Sequence, residues 1–470
     1  MGSSRKGFLR SIAEVVRGYG AIPAVFFGMA LDRAWRSSLF YHGAFSSVTM
    51  GDFCLFGLAL GAISLVLAFA PRSSPLGASR TAAIMSAVTM TIGSMLIVLA
   101  CLVYPSAPLK VVGLLLAGGG SAVLYLMWAD LFGRIGPASV TICFAVAVLG
   151  GEVLKFLFMG LAPGYLAVCA VVLPCLAVGC VRSSMFKLPL DKRARNAGRP
   201  ALGGYPWKPV GLISLCFFVA AFDGNNLRPL NVGNALGAVF ASLLILAVVS
   251  SRSKHFRVES MNQVLFPLFI IGFILFLPAD SISTEVASFR FETAYTMFFM
   301  LVLIVLSSVS YRCGIDAVWL NGIERAVRAC VEAIGWGLSA LLMAHAGFAS
   351  GPLIHMTFEV VLIAALIVLF FTDKGLSAKW DVRFAQEGDA WDLPDSRVKM
   401  RVDEMTQAYG LSPREAEVLE AYVSGRSIAD IADALIVAPG TVKAHINHIY
   451  HKLGVRSKAE LTATLSDPKR

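Results

Sequence analysis

Between residues 17 and 372 the chain is a succession of apolar runs separated by short polar joints, and this pattern restricts the fold more than any other feature. A helix of about 20 apolar residues crosses the roughly 30 Å hydrocarbon core of a bilayer. Helices suit that solvent because each satisfies its own backbone polar groups. The runs predict twelve spans, at 17–36, 48–70, 81–104, 109–132, 137–159, 164–181, 209–224, 231–250, 263–279, 291–311, 327–347 and 352–372. Hydrophobic residues are 57% of the chain, charged residues only 15%, and the mean hydropathy is +0.72. A soluble globular chain of 470 residues does not reach that balance. The expected class is an all-α polytopic membrane protein.

Loop charge gives the expected orientation, because Lys and Arg concentrate on the cytoplasmic side. With the N-terminus inside, cytoplasmic segments hold most of the cations, including the run from Arg182 to Lys208 and, at the joint before the eleventh span, Arg325 and Arg328. The other side holds Arg33, Arg36, Lys110, Arg228 and Arg290. An even number of spans returns the C-terminus to the cytoplasm. The net charge of +10 is therefore read as topology, aided by anionic lipid, and not as a nucleic-acid footprint. The nine cysteines form no CxxC pair and lie almost all in apolar runs, which predicts small buried side chains. The N-terminal RKGFLR stretch lacks a cleavable leader pattern, so the first span is expected to be retained. Six spans, a basic loop and six more spans are similar to the layout of the major facilitator superfamily, two six-helix bundles around a midplane site. The glycine- and charge-bearing loop motif of its transporters is not recognisable in PRSSPLGASR.

Ionisable residues inside spans mark candidate ligand contacts, since hydrocarbon burial is costly without a cavity or a partner. The set is Asp52, Asp130, Glu152, Lys155, Asp223, Glu332, His355 and Glu359. Asp52, Asp130, Asp223 and Glu332 lie near span ends and are expected at the interface. Glu152 and Lys155, three apart, either neutralise each other or contact a ligand. His355 and Glu359, four apart in the last span, are the better candidates for a polar lining. These last four are the predicted ligand-binding residues.

From Asp373 to Tyr409 the composition turns polar and charged, which predicts a linker over 373–409. Beyond it lies a compact helical signature. Ser412 and Glu415 form a capping box with Pro413 at the first helical position, and a helix is predicted to Ser424. A second is predicted from Ile428 to Leu435, a third from Pro439 to the stop at Gly454, and a fourth from Ser457. Val442, Ile446, Ile449 and Leu453 make one apolar stripe on the third helix. The opposite face carries Gly440, Lys443, Ala444, Asn447, His448 and His451. Spacing alone leaves two readings of that face: a solvated surface, or a reader of the major groove, where Lys pairs with guanine and Asn with adenine. His445, His448 and His451 lack converging ligands nearby, so no metal is expected.

The segments LSPREAEVL, SGRSIADIADAL, PGTVKAHINHIYHKLGV and RSKAEL resemble the LuxR-type helix-turn-helix over residues 411–465. The resemblance implies base contacts from Lys443, Ala444 and Asn447, a phosphate contact from Thr441, and dimers formed through the fourth helix. One position departs from the family, which usually has Ser where this chain has Ala438. From Leu411 onward eight basic residues face seven acids. A module so nearly neutral binds DNA weakly alone, which again points to a dimer on two half-sites.

The whole chain resembles membrane-embedded LuxR-type regulators. The expected organisation is a sensor-like module over 1–372, a linker over 373–409 and a DNA-binding domain over 410–470. The expected function is a one-component transcriptional regulator in the bacterial cytoplasmic membrane, with both termini cytoplasmic. Its expected partners are promoter DNA, membrane lipid, an unidentified small molecule and a second copy of the chain. No catalysis and no cofactor are expected. The rival expectation is a secondary transporter with an accessory regulatory tail, and the plainest is a membrane anchor for the reader.

Overall fold

The computed structural model describes residues 23–40, 47–72, 74–135, 137–188, 205–223, 232–251, 284–345, 408–423, 428–435, 437–455 and 460–461, with Phe45, Arg199, Leu202, Val402, Met405 and Thr406 besides. The chain divides into two compact units, essentially residues 1–380 and 381–470.

Ten helices of the first unit are described: α1 (Pro23–Phe40), α2 (Met50–Phe69), α3 (Arg80–Leu102), α4 (Ala107–Phe132), α5 (Pro137–Met159), α6 (Pro163–Lys187), α7 (Trp207–Asp223), α8 (Val232–Ser251), α9 (Thr284–Cys313) and α10 (Ala317–His345). Among the described residues, six stretches are long and apolar enough to cross a membrane, in α2 to α6 and α9. The expected spans at 263–279 and 352–372 lie outside the described residues. Helix starts are set by local chemistry. Thr49 and Asp52 close a capping box on α2, Ser79 accepts from the Ala82 amide at the start of α3, and Ser106 does so from Leu109 on α4.

In the first six helices, α4 packs between α2 and α3, and α1 between α5 and α6. The later helices join through two seams, with α10 lying along α2 and crossing α4 and α7, and α8 lying on α5. The α2–α10 seam is tight enough to demand glycine: a Cβ on Gly322 would sit 2.6 Å from the Ser64 carbonyl oxygen. At the same seam Asp316 begins α10, accepting the Val318 amide at 3.0 Å. Its carboxylate also takes Arg72 and, at 2.8 Å, Arg199 Nε. These two arginines reach back to the last carbonyls of α2, Arg72 to Leu67 and Arg199 to Ala70. Charges expected to serve orientation thus also fasten the end of one helix to the start of another.

Two predicted boundaries are corrected. Helix α9 starts at Thr284, not near 291, and α10 starts at Ala317, ten residues before the predicted 327. Arg325 and Arg328, expected in a joint, are buried inside α10 at 7% and 0% exposure. An apolar run is a poor marker for α10, because Asn321, Glu324, Arg325, Arg328 and Glu332 all face inward and are buried.

Among the described residues the second unit holds α11 (Pro413–Val423), α12 (Ile428–Leu435) and α13 (Pro439–Leu453), and the fourth helix expected from Ser457 lies outside them apart from residues 460–461. Their core joins Leu411, Val418, Leu419, Ile431, Ala432, Val442, Ile446, Ile449, Leu453 and Leu461. It extends into the expected linker through Val402 and Met405, which are buried with them.

Candidate nucleic-acid interface

The geometry of α13 follows from its stripe. Val442, Ile446, Ile449 and Leu453 are buried against α11 and α12, so the opposite face turns outward. Thr441, Lys443, Ala444 and Asn447 are all exposed on it, with Gly440, His448 and His451. Gly454 closes the helix in the left-handed conformation (φ +68°), its N–H donating to the Tyr450 carbonyl. At the other end Ala438 makes no side-chain cap. The first-turn amides of α13 therefore lack the hydroxyl partner that a Ser would supply.

A network behind this face holds the three helices in register. In the capping box the Glu415 amide donates to Ser412 Oγ at 3.2 Å, and the Ser412 amide to Glu415 Oε2 at 2.7 Å. Lys452, from the last turn of α13, donates to the same carboxylate at 2.7 Å and to the Gly410 carbonyl at 3.0 Å. Arg414 caps the last carbonyl of α12, at Leu435, at 2.7 Å. Lys452 and Arg414, two of the eight basic residues counted from Leu411 onward, are both committed to the scaffold. The signal that escaped sequence reasoning is tertiary: Glu415 and Lys452 lie far apart in sequence and meet only when α11 crosses α13.

The Lys452 ammonium and the Ser412 amide hold the Glu415 carboxyl at about 2, below its ordinary 4.5. A lowered folded-state value means stability present above 4.5 and lost as pH falls toward about 2. Lys452 is 38% exposed and solvent screens the pair, so the expected contribution is only about 1–2 kcal/mol. Thermal unfolding of the reader followed from neutral to acid pH should show this loss in the wild type. Glu415→Gln should start lower and lose its share of that acid slope.

In the membrane module the predicted pair Glu152–Lys155 is formed at 3.1 Å and buried. It belongs to a larger cluster that sequence spacing did not reveal. Arg33 of α1 donates to Glu152 at 2.7 Å and to Glu292 of α9 at 2.9 Å, joining the first six helices to the later ones. His355 and Glu359 lie outside the described residues, as does the side chain of Asp223. Of the other ionisable residues expected at span ends, Asp52 caps α2 and pairs with Lys110 at 2.8 Å. Asp130 is buried, pairing with Arg134 at 2.7 Å and accepting the Gly77 amide at 3.1 Å. Glu332 is buried within α10.

A multi-pass bundle joined in one chain to a helical reader with an exposed basic and amide face defines the class: a membrane protein with a helix-turn-helix DNA-binding domain. That domain is of the LuxR type, since residues 409–465 match the family described as "Bacterial regulatory proteins, luxR family". Similar curated proteins include the "Probable transcriptional regulatory protein NarL" of Mycobacterium tuberculosis, 51% identical over 53 residues, which are 11% of this chain and 24% of that protein. The "Probable HTH-type transcriptional regulator GfsR" of Streptomyces halstedii is 38% identical over 60 residues, 13% of this chain and 25% of that one. The match therefore spans about a quarter of the length of each of these two relatives.

The membrane module is similar in fold to solved membrane transporters. The chain is similar to the crystal structure of a Major Facilitator Superfamily transporter, FucP, in the outward conformation. The TM-score is 0.50 at 14% identity, over 77% of this chain and 100% of that one. It is similar also to a bacterial homologue of the iron transporter ferroportin in the outward-facing state, with a TM-score of 0.50 at 10% identity over 74% and 98% of the two chains. At these identities the likeness is one of fold.

Proposed function

We propose that the chain is a one-component transcriptional regulator of the bacterial cytoplasmic membrane, in which a small molecule held by the membrane module governs promoter binding by the reader. The observation that carries the proposal is the union in one chain of a LuxR-type domain with an exposed α13 face and a multi-pass module with paired charges between its helices. In this reading Lys443, Ala444 and Asn447 meet base edges and Thr441 a phosphate, with α13 in the major groove of duplex DNA. Glu152 and Lys155 belong to the ligand-responsive region, and His355 and Glu359 remain proposed contacts there. The chain crosses the bilayer twelve times with both ends cytoplasmic, and two readers pair on two half-sites.

The coupling requires only that the ligand prefer one packing of the two sets of six helices. The Arg33–Glu292 pair spans those sets, so a ligand that competes for either charge shifts their balance. That shift changes how readily two readers pair on DNA.

The test replaces residues 1–372 with an unrelated membrane anchor and compares reporter output with the intact chain during growth on different carbon sources. The expected result is retained promoter binding with loss of condition-dependent output. Unchanged condition-dependence would reduce the module to an anchor. Substrate accumulation driven by an ion gradient, in vesicles carrying a chain cut before Asp373, would favour a transporter with an accessory tail.

A further inference from the structure

We propose that Arg325 and Arg328, on one face of α10, recognise the carboxylate of a small monoanionic organic acid with an apolar skeleton. The inference rests on the reading of the membrane module as a sensor and names the chemical class of its ligand.

Both residues are buried, and Arg328 keeps enclosed donors that no acceptor meets among the described residues. Arg328 is fully enclosed and meets Glu324 through two nitrogens, Nε lying 3.0 Å from Oε1 and Nη2 donating to Oε2 at 3.4 Å. Its Nη1 has no hydrogen-bond partner. Arg325 is 7% exposed, and among the described residues no carboxylate comes within 4.0 Å of it. The Tyr125 ring lies 6.0 Å from its guanidinium carbon. A guanidinium carries five donors in a planar fork that matches a carboxylate, and burial away from water makes unmet donors costly. Two such groups one turn apart are therefore prepared for an anion.

The surroundings limit which anion. The Phe217 and Phe299 rings lie 4.5 Å and 5.2 Å from the Arg328 guanidinium carbon, so the rest of the ligand meets apolar walls. Glu324 and Glu332 are buried on the same helix and supply two negative charges beside the two arginines. A single added charge is tolerated there, whereas a dianion such as phosphate would be repelled by both carboxylates. The site also lies where the two sets of helices meet. Tyr125 of α4 reaches Asn321 at 3.5 Å and Glu324 at 3.4 Å on α10. An acid seated on Arg325 would thus touch both sets.

The test uses the full chain in lipid nanodiscs, with benzoate as the probe and benzamide as its uncharged counterpart, read by intrinsic tryptophan fluorescence and by melting temperature. The expected result is saturable benzoate binding, tighter than benzamide by at least about tenfold. Arg325→Gln should erase that preference and Arg325→Lys should keep part of it. A melting temperature of the unliganded Arg325→Gln chain close to wild type identifies the loss as recognition and not misfolding. Equal binding of the two probes, binding of neither, or undiminished benzoate binding by Arg325→Gln would overturn the proposal. Benzoate bound through Arg325 without any change in promoter occupancy would leave the site standing and remove the sensing reading.

Discussion

Lys443→Ala combined with Asn447→Ala is expected to weaken binding to an operator duplex by about two to four orders of magnitude, because each bidentate base contact discriminates by about 1–3 kcal/mol. Both side chains are exposed and contribute nothing to the core of the reader, so its melting should not change. Operator duplexes selected from a random pool by the full chain supply the ligand, and fluorescence anisotropy at fixed salt measures the affinity. Binding to unrelated duplexes should fall much less, since phosphate contacts dominate it. Lys452→Ala is the informative contrast. Lys452 lies in the same helix but is bonded to Glu415 and Gly410, so its loss should lower stability and leave base preference intact. Unchanged operator affinity in the double variant would mean that another face of the reader meets the bases.

The reader was legible in sequence because its determinants are local. Ser412 and Glu415 cap within one turn, Gly454 stops α13 in the only region that favours glycine, and the stripe of Val442, Ile446, Ile449 and Leu453 repeats at helical spacing. What sequence could not supply was partnership at a distance. Lys452 meets Glu415 only because α13 crosses α11, and Val402 and Met405 looked like linker because two apolar residues make no periodic run.

The membrane module divides along the same line. Apolar runs mark a helix by what faces lipid, and they located α2 to α6 to within a few residues apart from the C-terminal end of α6, which continues to Lys187. They fail where a helix turns charge inward, as α10 does with Glu324, Arg325 and Arg328. Arg33, counted with the opposite loops, is likewise bound between Glu152 and Glu292. The Glu152–Lys155 pair was readable because its members are three residues apart, whereas its partners on α1 and α9 are separated from it by more than a hundred residues.

That cluster gives the largest stability effect expected in the molecule. Glu152→Ala removes the carboxylate shared by Arg33 and Lys155, whose side chains are 21% and 8% exposed. Lys155 is then a buried ammonium without its partner, and removal of one member of a buried pair costs about 3–5 kcal/mol. Arg33 retains Glu292 at 2.9 Å, so most of the damage should fall on α5. The unfolding temperature of the full chain in nanodiscs measures the loss. Replacing Lys155 with Met as well removes the stranded charge and should recover much of it, because a buried pair exchanged for apolar side chains of similar size is often neutral. If the double variant is no more stable than Glu152→Ala, the cost lies with Arg33, and the carboxylate of Glu152 is needed chiefly to hold α1 against α5. Transcriptional output separates the two cases further. A stranded Lys155 acts mainly on α5, whereas a released Arg33 binds Glu292 alone and alters the balance between the two sets of helices.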